Sequence, residues 1–188
     1  MIDYAGKRIL LLGNGPSLPQ EIKQYNLNDF DYVCRMNNWI ATDEVGSRCD
    51  IWLTTGNWDI EWRPLDPKTH IWLCRWPGLT DWNDNKANSE LVKLPLIIWE
   101  AYKRMPDKII SRIMFNNLWE TMDRLPSTGL CGVSMAGTYD MYINIAGFDF
   151  FKADKHHYFN DKEGPFGPDY HNKDMEEQLI KGLILKDK

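Results

Sequence analysis

Residues 7–20 read KRILLLGNGPSLPQ, and this stretch decides the fold. Its first half, Lys7 to Leu12, is a short run of leucine and isoleucine that stops at Gly13, which is typical of a strand buried on both faces. Ser17 then predicts a helix N-cap in a capping box, because a proline suits the first turn and a glutamine follows three residues after the cap. A strand, a glycine loop and a helix are therefore expected in direct succession.

The remainder of the chain continues this alternation. Further strands are predicted at 31–36, 51–55, 71–74 and 141–146. Helices are predicted at 38–44, 89–105 with an interruption at Pro95, 117–125, 129–139 and 172–184. Strands that alternate with helices predict an α/β fold: a single Rossmann-like domain over residues 1–188, with a mostly parallel sheet flanked by helices.

Parallel α/β sheets bind ligands beyond the carboxyl ends of their strands. The predicted strands place four segments at that edge of the sheet: Gly13–Ser17, Asn37, Thr55 and Phe148–Phe151. The binding site is therefore expected where these segments meet.

Composition and charge narrow the class of protein. The chain has 188 residues, of which 43% are hydrophobic and 26% are charged, as in an ordinary soluble domain. A net charge of −5 argues against an extended nucleic-acid-binding face, and no apolar run approaches the length of a membrane span. Four cysteines without a C-x-x-C pair indicate buried free thiols, so a cytoplasmic location is expected.

The glycine loop alone does not identify a ligand. Its backbone can approach an anion at a helix start, or it can serve only as a turn. A dinucleotide site is disfavoured, because Leu18 stands where the third glycine of G-x-G-x-x-G belongs. The acidic residue that would bind a ribose is also missing, since that region reads CRMNN over residues 34–38. The same missing acid counts against an S-adenosylmethionine enzyme.

Four further patterns lie in a fixed order along the chain. They are Gly13–Leu18 with residues 35–37 and 45–48; Pro126–Gly129 leading into residues 145–148; His156–Phe159; and His171 followed by Asp174 and Glu176. Together they resemble the long, short and histidine motifs of the eukaryotic-type sialyltransferases, with similarity to the small bacterial sialyltransferases. The resemblance covers about residues 7–55 and 124–185, and residues 56–120 match none of these motifs.

The resemblance implies a glycosyltransferase domain with a variant of the GT-A-like architecture. It would move sialic acid, with inversion, from CMP-sialic acid to a hydroxyl of a glycan or glycolipid acceptor. No cofactor and no metal are expected, because the donor has no β-phosphate for a metal to bridge.

The resemblance also implies roles for individual residues. His171 would be the catalytic base, oriented by Asp174 or Glu176, and His157 would donate a hydrogen bond to the departing phosphate. Donor-binding groups are implied at Asn14, Gly15, Ser17, Asn37, Ser127, Thr128, Gly129 and Tyr158. His70 and His156 are interpreted as structural.

The sequence departs from the sialyltransferase motifs at two places, and two alternative functions stay open. Ile9 and Asp140 occupy the positions of a disulfide found in vertebrate members, and Phe151 replaces a phosphate-binding tyrosine of bacterial relatives. The same machinery could use another CMP-keto sugar such as CMP-Kdo. A non-catalytic protein that binds CMP or a sugar is the alternative from a different class.

Overall fold

The computed structural model describes residues 3–56, 63–75, 98–99, 101–153, 157–159 and 171–185. Within these ranges the strands are β1 Arg8–Leu12, β2 Tyr32–Met36, β3 Ile51–Thr54, β4 His70–Leu73, β5 Lys108–Ile109 and β6 Tyr142–Ala146. They form one sheet in the order β5-β4-β3-β2-β1-β6, and every pair of neighbours is parallel. The predicted α/β fold with a parallel sheet is confirmed.

Besides helical positions at 98–99 and 101–102, four α-helices with defined bounds flank this sheet in the described part of the chain. They are α1 Leu18–Glu21, α2 Arg112–Met122, α3 Thr128–Thr138 and α4 Lys173–Leu185. Two short 3-10 turns, Ile22–Gln24 and Leu27–Asp29, lie between α1 and β2.

Both faces of the sheet are buried, and the alternation of side chains along β1 shows how. Ile9 and Leu11 belong to a core shared with α2, α3 and α4, in which Leu130 is fully buried. Leu10 and Leu12 belong to a second core, formed against α1 and the 3-10 turns. Successive side chains of a strand point to opposite faces, so a continuous apolar run fits a strand covered on both sides.

Serine side chains fix where two of the helices begin. The Ser111 hydroxyl accepts the N–H of Met114 at 3.2 Å at the start of α2. The Ser127 hydroxyl accepts the N–H of Leu130 at 3.1 Å at the start of α3. Each hydroxyl satisfies one of the N–H groups that a helix leaves unpaired at its first turn.

The helix predicted at 38–44 is wrong. Residues 39–41 are irregular instead, and residues 42–46 form a turn closed by an antiparallel bridge between Thr42 and Gly46. The buried guanidinium of Arg35 donates to the carbonyls of Val45 at 2.5 Å and Gly46 at 3.2 Å. These carbonyls are arranged around a buried cation, which a regular helix would not allow.

The capping box predicted at Ser17 is also wrong. Ser17 has helical backbone angles, with φ −71° and ψ −18°, and its side chain makes no capping hydrogen bond to α1. The N–H of Ser17 is bound by the Asp149 carboxylate at 3.1 Å. A distant acid therefore satisfies the first turn of α1, which the local sequence could not indicate.

Helix and strand boundaries differ elsewhere from the prediction. The helix predicted at 117–125 begins earlier, at Arg112, because Ser111 supplies its cap. The two-residue strand β5 was not predicted, being too short to show a pattern. Most of the helix predicted at 89–105 lies outside the described residues.

The order of the strands places a switch point beside β1. The chain adds β2, β3, β4 and β5 on one side of β1, and then returns to add β6 on the other side. Loops that leave the carboxyl ends of β1 and β6 therefore run in opposite directions, which is the arrangement that opens a ligand crevice in doubly wound sheets.

Candidate active site

The segments predicted to meet at the carboxyl edge of the sheet do so. Asn14, after β1, donates from Nδ2 to the carbonyl of Met36 at the end of β2, at 3.0 Å. Asn37 accepts the N–H of Thr55, after β3, on its Oδ1 at 3.1 Å. The loops after β1, β2 and β3 thus form one hydrogen-bonded surface.

The glycine loop packs directly against the segment after β6. The N–H of Gly15 donates to the carbonyl of Gly147 at 3.0 Å, and the Asp149 carboxylate binds the N–H of Ser17. A Cβ added at Gly15 would collide with the Asp149 carboxylate and lie 2.7 Å from the Gly147 carbonyl oxygen. The anion at the start of α1 is therefore the protein's own Asp149.

Two polar side-chain atoms of the glycine loop have no hydrogen-bond partner among the described residues. Asn14 Oδ1 and Ser17 Oγ are buried without a hydrogen-bond partner in the described part of the protein. Buried polar atoms normally find partners, so these two mark places where a ligand group or ordered water can bind. The assignment of Asn14, Gly15 and Ser17 to donor binding stays a prediction.

Asn37 ties the second strand to the start of α3. It adopts a left-handed backbone conformation with φ 44°, which asparagine tolerates better than most residues. Its Nδ2 donates to the Thr128 hydroxyl at 3.0 Å, and its carbonyl accepts the indole N–H of Trp52 at 2.9 Å. Asn37 and Thr128, which were predicted separately as donor-binding residues and are 91 residues apart, are thereby brought into contact.

Glu176 is bound to the start of α3 from the opposite side. The Ser127 hydroxyl donates to Glu176 Oε1, while Glu176 Oε2 is buried without a partner in the ranges that the structure describes. Burial raises the pKa of Glu176 from 4.5 to about 7, against the lowering effect of its Ser127 hydrogen bonds. Ser127, which also caps α3, thus links two helices.

Gly129 stands in the same turn for reasons of space. A Cβ at this position would lie 2.8 Å from the Phe148 ring. The glycine therefore lets the segment after β6 approach the first turn of α3, beside Ser127 and Thr128.

His171 is held by a backbone carbonyl and an aromatic ring. Its Nδ1 lies 2.7 Å from the carbonyl oxygen of Leu125, so this nitrogen carries the proton and Nε2 keeps its lone pair. The ring stacks on Phe151 with centroids 4.7 Å apart and planes 17° apart. Burial lowers the pKa of His171 below 6.5, with a smaller lowering from the Arg75 charge and a partial offset from the Leu125 bond.

The carboxylates proposed to orient His171 bind elsewhere. Asp174 is exposed and forms an ion pair with Lys152 at 3.0 Å. Glu176 binds Ser127, as described above. The expectation that Asp174 or Glu176 orients the histidine is therefore wrong, because the backbone carbonyl of Leu125 does so.

Residues 157–159 lie against the glycine loop. The N–H of Tyr158 donates to the carbonyl of Asn14 at 2.9 Å, and its hydroxyl donates to the carbonyl of Ile40. His157 is exposed, and its ring stacks on Phe159 with centroids 5.2 Å apart. The segment is thus placed beside Asn14, while His156 lies outside the described residues.

Sequence reasoning missed the structural partners of these residues. Glu21 accepts the N–H of Gly147 at 2.8 Å, and Asp149 accepts that of Ser17. A short acidic residue just after β6 was the available signal for Asp149. The role of Leu125 left no signal, because any residue supplies a backbone carbonyl.

Two absences apply to the described ranges. Among those residues, no cluster of three or more histidine, cysteine, aspartate or glutamate side chains is arranged to hold a metal ion. No helix found there combines the length and the apolarity needed to cross a bilayer.

The fold and the site together define a Rossmann-like α/β protein with its polar groups gathered beyond the strand ends. At the level of sequence, no family model matches the chain, and no curated protein matches it. The structure, however, has the fold of the sialyltransferases, which confirms for the fold the resemblance seen in the motifs.

Two solved structures carry this likeness. One is a mammalian sialyltransferase in complex with Gal-beta-1-3GalNAc-ortho-nitrophenol, with a TM-score of 0.61 and 17% identity. The other is a mammalian sialyltransferase with a TM-score of 0.63 and 19% identity. Each comparison covers 97% of this chain and 67% of the mammalian chain.

Proposed function

We propose that this protein is a glycosyltransferase that moves sialic acid from CMP-sialic acid to a sugar hydroxyl, with His171 as the base. The observation that carries the proposal is the state of His171 on a sialyltransferase fold. Its Nδ1 proton is committed to Leu125, and its lowered pKa keeps the imidazole neutral near pH 7. A neutral imidazole with a free Nε2 lone pair is the form that accepts a proton.

The reaction follows from that lone pair. As the acceptor hydroxyl attacks the anomeric carbon, Nε2 takes its proton, a new carbon–oxygen bond forms, and the bond to the phosphate of CMP breaks. The electron pair of the broken bond leaves with CMP. Attack on the side opposite the departing phosphate inverts the anomeric centre.

The donor would bind over the glycine loop and the start of α3. Asn14 Oδ1 and Ser17 Oγ offer uncommitted buried oxygens to the nucleotide or sugar. Residues 157–159 lie beside this loop through the bond of Tyr158 to Asn14, which supports His157 as the donor to the phosphate. Asn37, Ser127, Thr128 and Gly129 shape the neighbouring wall.

The proposal includes no metal ion. CMP-sialic acid carries a single phosphate, so the charge that develops on departure can be met by hydrogen-bond donors such as His157. We therefore expect CMP release to be unchanged by a chelator such as EDTA, measured before and after dialysis.

A cytoplasmic location is part of the proposal. It is supported by the four cysteines, which are all free thiols. It is also supported by Ile9 and Asp140, which replace the disulfide of vertebrate members. Fractionation of the cells that produce the protein would test it.

The decisive experiment measures CMP release from CMP-sialic acid with and without galactose-terminated acceptors. Two variants are compared with the wild type. His171→Asn keeps an N–H donor for the Leu125 carbonyl but has no base, whereas His171→Ala removes both. Both variants are expected to lose about 100-fold or more of acceptor-dependent release, as general-base catalysis is worth that much.

The other outcomes separate the alternatives. Equal release by wild type and His171→Asn would refute the base. Release only from CMP-Kdo would change the donor and keep the machinery. Binding of CMP by titration calorimetry without release from either donor would identify a binding protein instead of an enzyme.

A further inference from the structure

A strained turn follows β6 and leads to the candidate base. Phe150 and Phe151 are consecutive residues in the left-handed region, with φ 51° and 56°. Residues with a Cβ avoid this region, and two in succession are rarer still. Such a conformation persists only where the surroundings hold it in place.

Several contacts hold this turn. The N–H of Lys152 donates to the carbonyl of Asp149 at 2.9 Å, and the Asp149 carboxylate is bound by Ser17. The ammonium of Lys173, on the helix that follows His171, donates to the carbonyl of Phe151 at 2.8 Å. The turn is therefore fixed both to the glycine loop and to α4.

The consequence of the turn is the position of the Phe151 ring. It stacks almost parallel on the imidazole of His171, with 4.7 Å between centroids. The carbonyl of Leu125 fixes the ring edge at Nδ1. One ring face and one ring edge of His171 are thus both restrained by other parts of the chain.

We infer that Phe151 is a positioning residue for the base: the strained turn at 149–151 presses its ring onto His171, sets the imidazole plane and excludes water from one face. The inference rests on the proposed function of His171. The role belongs to the aromatic ring, so a tyrosine at this position would retain it.

The charges around His171 are few in the described residues. Arg75, after β4, acts on the imidazole and lowers its pKa. On α4, Lys173 is bound to the Phe151 carbonyl and Glu176 to Ser127, while Asp174 pairs with Lys152. Loss of the Phe151 ring would let water reach the imidazolium, so the pKa of His171 would rise toward 6.5.

The test compares Phe151→Leu with Phe151→Tyr. Leucine keeps an apolar side chain but removes the flat ring, whereas tyrosine keeps the stack. Phe159→Leu is the matched control, because it removes the other phenylalanine–histidine stack, on His157. The readouts are the NMR titration of His171, assigned with His171→Asn, and the pH profiles of kcat and kcat/KM for sialyl transfer.

Phe151→Leu is expected to raise the His171 titration midpoint and to move the acid limb of kcat/KM to higher pH. At pH 8 its kcat is expected to fall about tenfold with little change in the KM for donor, since a misplaced base weakens the chemical step. Phe151→Tyr is expected to keep the His171 titration and the pH profile of the wild type. Phe159→Leu is expected to leave the His171 titration unchanged.

The two proposals fail in different ways. If the wild type transfers sialic acid and Phe151→Leu moves neither the titration nor the acid limb, the positioning role is refuted and the function stands. If the wild type transfers nothing while Phe151→Leu still moves the His171 titration, the proposed function is refuted and the structural coupling stands. If Phe151→Leu does not fold, Phe151→Tyr decides between the outcomes. Tyrosine can stack on His171 as phenylalanine does, so a rise of the His171 pKa to that of a solvent-exposed histidine in this variant would contradict the positioning role.

Discussion

The glycine loop and the start of α4 both bind the segment after β6, but they differ in their chemistry: the backbone of the loop is hydrogen-bonded within the protein, whereas titratable side chains lie around α4. In the loop, the N–H of Gly15 donates to the Gly147 carbonyl and the N–H of Ser17 donates to the Asp149 carboxylate. Around α4, the buried Oε2 of Glu176 has no partner among the described residues, and Nε2 of His171 keeps its lone pair. The glycine loop has the sequence of a ligand-binding loop, but its backbone N–H groups serve to hold the fold together. The titratable side chains lie around α4, where the sequence pattern is weaker.

The largest expected effect is on the pH dependence of stability, and it comes from Glu176 on α4. Its pKa is raised from 4.5 to about 7 by burial, so the native carboxyl keeps its proton where the unfolded one has lost it. Between pH 4.5 and 7 the native state binds more protons, and stability therefore falls as pH rises. At about 1.4 kcal/mol per pKa unit, this loss reaches up to about 3 kcal/mol.

Glu176→Gln removes the titrating group and should remove this loss. Relative to wild type, the variant is expected to gain up to about 3 kcal/mol between pH 5 and pH 8, measured by urea unfolding. Glu177→Gln is the control, because ion pairs with Lys152 and Lys181 lower the pKa of Glu177 to about 2 and keep it ionised throughout. A Glu176→Gln difference that is constant with pH would contradict the buried, protonatable carboxyl.

The loop side is tested by filling its space. Gly15→Ala places a methyl group against the Gly147 carbonyl and the Asp149 carboxylate, and the backbone of Gly15 is not left-handed, so the cost comes from packing alone. We expect a loss of about 2 kcal/mol in unfolding free energy, typical of overpacking. The His171 titration midpoint should rise as well, because the displaced Asp149 carboxylate holds the turn that carries the Phe151 ring.

Gly182→Ala is the matched control for this substitution. Nothing lies within 4 Å of a Cβ at Gly182, which is exposed on α4. Alanine is the better helix former, so the variant is expected to gain about 0.5–1 kcal/mol. Equal effects of the two substitutions would show that the loop does not pack as described.

The fold was predictable where burial leaves a local pattern. The apolar runs of β1, β3 and β4 are short and continuous because both faces of each strand are covered. The turn at 42–46 was not predictable, since its last two carbonyls are bound by Arg35 from the preceding strand. Propensity within the segment contains no information about that cation.

The candidate site was predictable as a set of residues but not as a network. The motifs named His171, Asn37 and Thr128, and the structure joins the last two directly. The partners of His171 came from elsewhere, a backbone carbonyl at Leu125 and a ring at Phe151, across a long separation in sequence. Such contacts depend on the packing of α3 and α4 against the sheet, which no local spacing records.

Ser17 sets the smallest expected effect, and it separates ligand binding from folding. Its hydroxyl is buried and has no hydrogen-bond partner in the described part of the chain, whereas the Ser111 hydroxyl caps α2. Ser17→Ala is therefore expected to change the unfolding free energy by less than about 0.5 kcal/mol, against a loss of about 1 kcal/mol for Ser111→Ala. Calorimetric titration with CMP should show the reverse order, with weaker binding only for Ser17→Ala, because an uncommitted oxygen is free to bind the nucleotide. Equal CMP affinity in both variants would mean that the loop contributes no side chain to the donor, and that its role is to hold Asp149 and the turn that follows it.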